Sequence, residues 1–132
     1  MSGGVVLDSS VWLQYILHEE GFEVLRPIIE NPTWMAPEWI RIEAANAVSK
    51  KRSHSAVDRT AFISEIKDYS FTSLPSALWF DEATRLAVKY DDLTFYAAAY
   101  IACAKMKSAR LLTADDEMNA IARRESIELL EL

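Results

Sequence analysis

The sequence predicts a three-layer α/β/α sandwich with a parallel five-stranded sheet, formed as one domain over residues 1–132. Short β-branched or apolar runs alternate with longer segments of helical periodicity along the whole chain, the pattern that gives parallel strands joined by right-handed helical crossovers on both faces of a sheet. The 132 residues carry 51% hydrophobic side chains, enough for a single core and too many for a disordered chain. Only three Gly and four Pro punctuate them, which fits dense helix and strand. There is no internal repeat, low-complexity tract or linker.

Val5-Val6-Leu7 reads as the first strand. It stops at Asp8, after which Ser9-Ser10 can cap a helix through Trp12, Leu13, Ile16 and Leu17. Gly21 separates this from a helix over Phe22 to Glu30, ended by Asn31-Pro32. Thr33 to Ala36 is the second strand, and Pro37 suits the first turn of a helix from about Glu38 to Arg52. Ala56 to Tyr69 has apolar residues at Val57, Ala61, Phe62 and Ile66, the spacing of an amphipathic helix. Phe71 to Leu74 is the third strand, closed by Pro75. Ala77 to Tyr90 is helical, with Leu78, Phe80, Leu86 and Val88 apolar. After Asp91-Asp92, the helix Thr94 to Lys107 is apolar on nearly every side and so should be central. Arg110-Leu111-Leu112 is the fourth strand, Asp115 to Arg124 a helix and Ile127 to Leu130 a fifth strand.

The composition narrows the chemistry. A single cysteine, Cys103, excludes an internal disulfide framework and a Cys-based zinc site, and fits a small core residue of a reducing compartment. No stretch approaches the roughly 20 apolar residues of a membrane span, and Met1-Ser2-Gly3-Gly4 lacks the basic region of a secretory leader, so a cytoplasmic location with no membrane partner is expected. The formal net charge of −6 argues against a simple nucleic-acid coat, although divalent metal can offset acidic charge at a site.

The acids are placed suggestively. In an open parallel sheet the ligand crevice lies beyond the carboxyl ends of the strands. Asp8 and Asp115 both follow strands, while Glu43 sits mid-helix among Trp39, Ile40, Asn46 and Ala47, where a lone carboxylate is costly unless paired. Each has a plain structural alternative: Asp8 as a helix cap, Glu43 in a structural ion pair, and Thr113 with Asp116 as a capping box. Asn46 can steady a site residue or be an ordinary polar helix position. Asp91 and Asp92, before a helix, read as solvated. If Asp8, Glu43 and Asp115 converge, their repulsion calls for a divalent cation, and hard oxygens favour magnesium or manganese. Two such ions can cut a phosphodiester with water as the nucleophile.

These residues carry a resemblance. Val5-Val6-Leu7-Asp8-Ser9-Ser10, Ala36-Pro37-Glu38 leading to Glu43-Ala44-Ala45-Asn46, and Leu111-Leu112-Thr113-Ala114-Asp115 follow one another as in the PIN domain, and the chain most closely resembles the VapC-type ribonuclease toxins of toxin–antitoxin pairs. The resemblance implies a PIN-like fold and a Mg2+- or Mn2+-dependent endoribonuclease with Asp8, Glu43 and Asp115 as catalytic and metal-binding acids, and with Ser9 or Thr113 as helpers. It also implies an RNA substrate, a cognate antitoxin that puts a basic side chain among the acids, and a homodimer. A PIN nuclease of RNA processing, without antitoxin, is the remaining variant of this reading.

One position departs from the pattern. The family's central helix typically opens Leu-Thr-Phe-Tyr-Asp-Ala, whereas here Leu93-Thr94-Phe95-Tyr96 is followed by Ala97. Ala97 is open to three readings: a substitution introduced to silence a toxic nuclease, a natural loss that leaves a binding protein, or a shift of the charge to Asp91 or Asp92. The last is difficult, because on one helix Asp92 would face about 140° away from position 97. A folded chain with impaired catalysis is expected.

The remaining features are ambiguous or structural. Lys50-Lys51-Arg52 and Arg123-Arg124 end helices, where they suit the dipole or contact RNA phosphates. His18 and His54 are isolated, and Trp34, Trp39 and Trp79 suit core or subunit contacts.

Overall fold

The structure, a computed structural model, describes residues 4–132. Met1, Ser2 and Gly3, part of the segment read as lacking a secretory basic region, lie outside the described residues. Eleven elements follow in order among these residues: β1 (Val5–Leu7), α1 (Ser9–Ile16), α2 (Phe22–Ile29), β2 (Met35–Pro37), α3 (Ile40–Ser49), α4 (Ala56–Asp68), β3 (Thr72–Leu74), α5 (Ser76–Lys89), α6 (Phe95–Met106), β4 (Arg110–Leu112) and α7 (Asp116–Arg124). Among the described residues no helix is long and apolar enough to cross a membrane.

Among the described residues the sheet is parallel but has four strands, in the order β3-β2-β1-β4, which corrects the expected five. The segment expected as a fifth strand, Ile127 to Leu130, meets β4 at a single residue: Leu111 N–H donates to Glu128 O and Leu130 N–H to Leu111 O, both at 2.9 Å. Glu128 within it and Glu131 just after it are exposed, and charges there keep a sheet edge from extending.

Pro37 also departs from expectation. It ends β2, in register with Leu74, and does not open the following helix. A proline donates nothing to a ladder, so the last strand position suits it; the next residue, Glu38, donates to Leu74 O at 3.0 Å. Helix α3 therefore begins at Ile40 and Glu43 falls in its first turn, not mid-helix. There the helix dipole favours a carboxylate.

Helix α6 is the centre of the molecule, as its composition requires. Ala98 to Ala104, Cys103 included, are all buried, and the small side chains let the helix lie close against β1, β2 and β4. Helices α5 and α7 flank it, whereas α1 packs with α2, α3 and α4. Helix α5 buries Trp79, Ala83 and Leu86 at helical spacing, which leaves Phe80 and Val88 exposed despite their apolar character. On α4 only Ile66 is fully buried, so Val57 and Ala61 face water.

The topology fixes where a site can form. From β1 the chain runs to β2 and β3 on one side, then returns through α5 and α6 to β4 on the other side of β1. The carboxyl ends of β1 and β4 thus flank the point where connections diverge, and this is where open α/β sheets hold ligands.

Candidate active site

Asp8 leaves β1 at that divergence. Its N–H donates to Leu112 O of β4 at 3.3 Å, and its side chain caps α1: Oδ1 accepts from Val11 N–H at 3.2 Å and from Ser10 Oγ at 2.7 Å. Oδ2 accepts from Thr113 Oγ1 at 2.5 Å, tying the ends of β1 and β4 together. Asp8 is thus the cap of α1, and it stands at the carboxyl end of β1. Asp8 is only 5% exposed, and burial pushes its carboxyl above the ordinary carboxylate value, with the nearby charge of Glu43 adding to the effect. Three hydrogen bonds leave about one of its four acceptor positions open.

Glu43, on the first turn of α3, accepts from Tyr100 Oη at 2.6 Å. Tyr100 is buried on α6, and Trp39 stacks edge-on against it at 5.1 Å. Burial first, then the Glu43 charge, drives the Tyr100 phenol far above its usual value, so it remains a proton donor to that carboxylate.

Asp115 caps α7, with Oδ1 accepting from Met118 N–H at 2.9 Å, while Asp115 N–H donates to Thr113 Oγ1 at 3.1 Å. Thr113 is therefore a relay between Asp8 and the α7 start, and the cap is Asp115, not the Thr113–Asp116 box. Asn119 Nδ2 steadies the same turn by donating to Thr113 O at 3.2 Å.

One cavity of about 380 Å³ is lined by Asp8, Glu43 and Asp115 together with Ser9, Ser10, Thr94, Tyr96, Ala97, Tyr100, Ala114 and Met118. Ala97 thus lies on the same wall system as the three acids, its N–H capped by Thr94 Oγ1 at 3.1 Å. Asp91 and Asp92 precede α6 and line a different cavity with Lys89 and Arg124, so neither takes the place of a side chain at 97. Asn46 and Asp116 are exposed and do not line the acidic cavity. Arg123 and Arg124 fall in the last turn of α7, where the dipole favours them, whereas Lys50-Lys51-Arg52 follow the end of α3 with Lys50 as its C-cap.

Sequence reasoning missed Tyr100, Ser10, Thr94 and Tyr96. From sequence, Ser10 reads only as a cap, and Thr94 and Tyr96 only as part of a helix-opening stretch. Tyr100 had one readable signal: a hydroxyl three residues beyond Ala97, on the same helical face, within an otherwise apolar helix.

The donor set consists of oxygens, the chemistry of a hard divalent cation. Among the described residues no group of three or more His, Cys, Asp or Glu is arranged to hold a metal ion. The reason is local: Asp115 is exposed and engaged in its cap, and Ala97 supplies no oxygen. Asp8 and Glu43 remain as the converging pair. Magnesium is commonly held by one or two carboxylates with several waters and a substrate phosphate, so these residues fit a water-rich cation and not a closed cage.

The PIN domain family matches residues 5–124. A search of curated proteins finds no match. Among solved structures, VapBC2 from Rickettsia felis, bound to a DNA fragment from its promoter, superposes with a TM-score of 0.68 at 15% identity, over 97% of each chain. FitAcB from Neisseria gonorrhoeae gives 0.68 at 15% identity over 96% of each chain. VapC20 from Mycobacterium tuberculosis, a sarcin-ricin loop cleaving toxin, gives 0.67 at 16% identity over 89% of this chain and 94% of its own. At such identities the likeness is one of fold.

Proposed function

This chain belongs to the PIN-domain family, and from that premise we propose that it is a Mg2+- or Mn2+-dependent endoribonuclease of toxin type, impaired by alanine at position 97. The observation that carries the reading is the meeting of Asp8, Glu43, Asp115 and Ala97 on one cavity at the sheet's divergence point.

Asp8 and Glu43 would hold the cation, with Asp115 as a third carboxylate on the same cavity. A divalent ion there supplies Lewis acidity, lowering the pKa of an attacking water and offsetting charge on the phosphate. The chain's own residues prepare the place. Thr113, Ser10 and the Val11 N–H fix the Asp8 carboxylate, and Tyr100 fixes Glu43, so little reorganisation is left when a cation and substrate arrive. Burial raises the Asp8 carboxyl while its hydrogen bonds from Thr113, Ser10 and Val11 oppose the rise, and a cation beside it would favour the ionised form.

Toxin activity implies control. A net charge of −6 and an open acidic cavity suit a basic inhibitor segment, the cognate antitoxin, which would occupy the cation's place. We assign a homodimer to the same reading.

The test is Ala97→Asp. The restored chain is expected to cleave RNA with Mg2+ or Mn2+, to stop on chelation, and to lose the activity again when Asp8→Asn is added. If it leaves all RNA intact under these conditions, the nuclease assignment fails. A second reading rests on the Ala97 methyl in the cavity: a PIN-like binding protein without chemistry. It predicts that Ala97→Asp stays inactive while a protein or RNA partner still binds.

A further inference from the structure

We infer that Tyr96 is a stacking platform for an unpaired base of the substrate, placed beside the acidic cavity; the inference rests on the ribonuclease reading and names how its substrate is gripped. Tyr96 lines the cavity that holds Asp8 and Glu43, yet is 61% exposed. Its ring is not loose. It meets Trp39 edge-to-face at 5.2 Å and 80°, and Trp39 in turn meets Tyr100 at 5.1 Å and 75°. Tyr100 is the residue whose hydroxyl holds Glu43. A continuous set of rings therefore runs from the buried acid to the cavity mouth. An edge-to-face contact occupies at most one face of each ring, so Tyr96 keeps a face open.

The charge of the cavity favours such a platform. Its lining residues include three acids and no lysine or arginine, so a phosphate backbone meets no local cation from the protein. Stacking between a base and an aromatic ring does not depend on charge and tolerates any base, because every base presents a π face. The base must be unpaired, since bases within a duplex are stacked on their neighbours. Phe95, next to Tyr96 in sequence, and Phe80 are also exposed, 5.0 Å apart, and do not line the cavity.

The experiment measures binding of fluorescein-labelled oligoadenylate, and of an abasic oligonucleotide of equal length, by anisotropy in Mg2+ buffer. Tyr96→Ala is expected to weaken oligoadenylate binding about tenfold or more and leave the abasic strand unchanged, whereas Tyr96→Trp retains affinity. In the Ala97→Asp background, Tyr96→Ala should raise KM with kcat nearly unchanged. Equal binding by Tyr96→Ala, or no binding of oligoadenylate by any form, overturns the inference. So does a change from dimer to monomer in Tyr96→Ala by light scattering, which would make Tyr96 a contact between copies. The two readings fail separately: cleavage by Ala97→Asp that ignores Tyr96→Ala removes the platform alone. Tyr96-dependent binding without any cleavage by Ala97→Asp removes the nuclease reading alone.

Discussion

The Tyr100 hydroxyl donates to Glu43 Oε1 at 2.6 Å, joining the central helix α6 to the first turn of α3. The two residues are 57 positions apart in sequence. It sets the carboxylate of Glu43 beside Asp8 without adding charge to the site.

Tyr100→Phe should keep the fold and lose this anchor. Hydrogen bonds to charged groups contribute about 1.5–3 kcal/mol, so a measurable drop in stability is expected. Outer-shell partners of metal ligands typically change affinity by about 10–100-fold. Titration calorimetry with Mn2+ in the Ala97→Asp background should find weakening in that range. Unchanged Mn2+ affinity would mean that Glu43 is held without Tyr100, or takes no part in binding.

Ala97→Asp should show a metal-dependent melting temperature. Position 97 is the third residue of α6, where a carboxylate favours the helix dipole, so the fold tolerates it. Without metal, repulsion from Asp8 and Glu43 should cancel that gain. With Mn2+ at a hundredfold over its Kd, binding adds about 2.7 kcal/mol, enough to raise Tm by several degrees. The same Mn2+ should move the Ala97 chain far less. Equal shifts in both would place the cation elsewhere.

Acid stability should depend on Glu125. Its side chain is 7% exposed and bonds Arg85, Lys89 and the Tyr90 hydroxyl, pinning the end of α7 to α5. These partners, Tyr90 foremost, hold its pKa at about 2, below the ordinary 4.5. A lowered folded-state pKa contributes stability that is complete above the unfolded value and is lost as pH falls from 4.5 through 2. Glu125→Gln should therefore destabilise the protein more at pH 7 than at pH 3, measured by urea unfolding at both. A difference from the parent that stays constant with pH would contradict the pairing.

Cys103 should be inert while the protein is folded. The thiol is fully buried on α6, and desolvation pushes its pKa up, so almost no thiolate is available. Iodoacetamide at pH 8 should label it only after denaturation, read by intact mass. Rapid labelling of the native chain would show that α6 opens locally.

Much of the site could be read from the residues because each acid interrupts an apolar pattern. Asp8 ends Val5-Val6-Leu7 and Asp115 follows Leu111-Leu112-Thr113, so both had to emerge at a strand's end. Ala97 was legible as a departure within a close match. Tyr96 was not, and Tyr100 was so only through its spacing from Ala97, since in an apolar helix a tyrosine looks like core until its neighbours are known. Nor could the sequence separate the uses of Asp115, which proves to be exposed and committed to the cap of α7.

The sequence by itself determined the alternation of elements, the central place of α6 and the positions of the acids along the chain, because periodicity and local polarity are properties of neighbouring residues. The tertiary structure alone decided that the sheet stops at four strands, that Glu43 stands in a first turn, and that Tyr100 and Thr113 hold the two buried-side carboxylates. Those outcomes depend on pairing and hydrogen bonds between residues 57 and 105 positions apart, whose partners become defined only when the core closes.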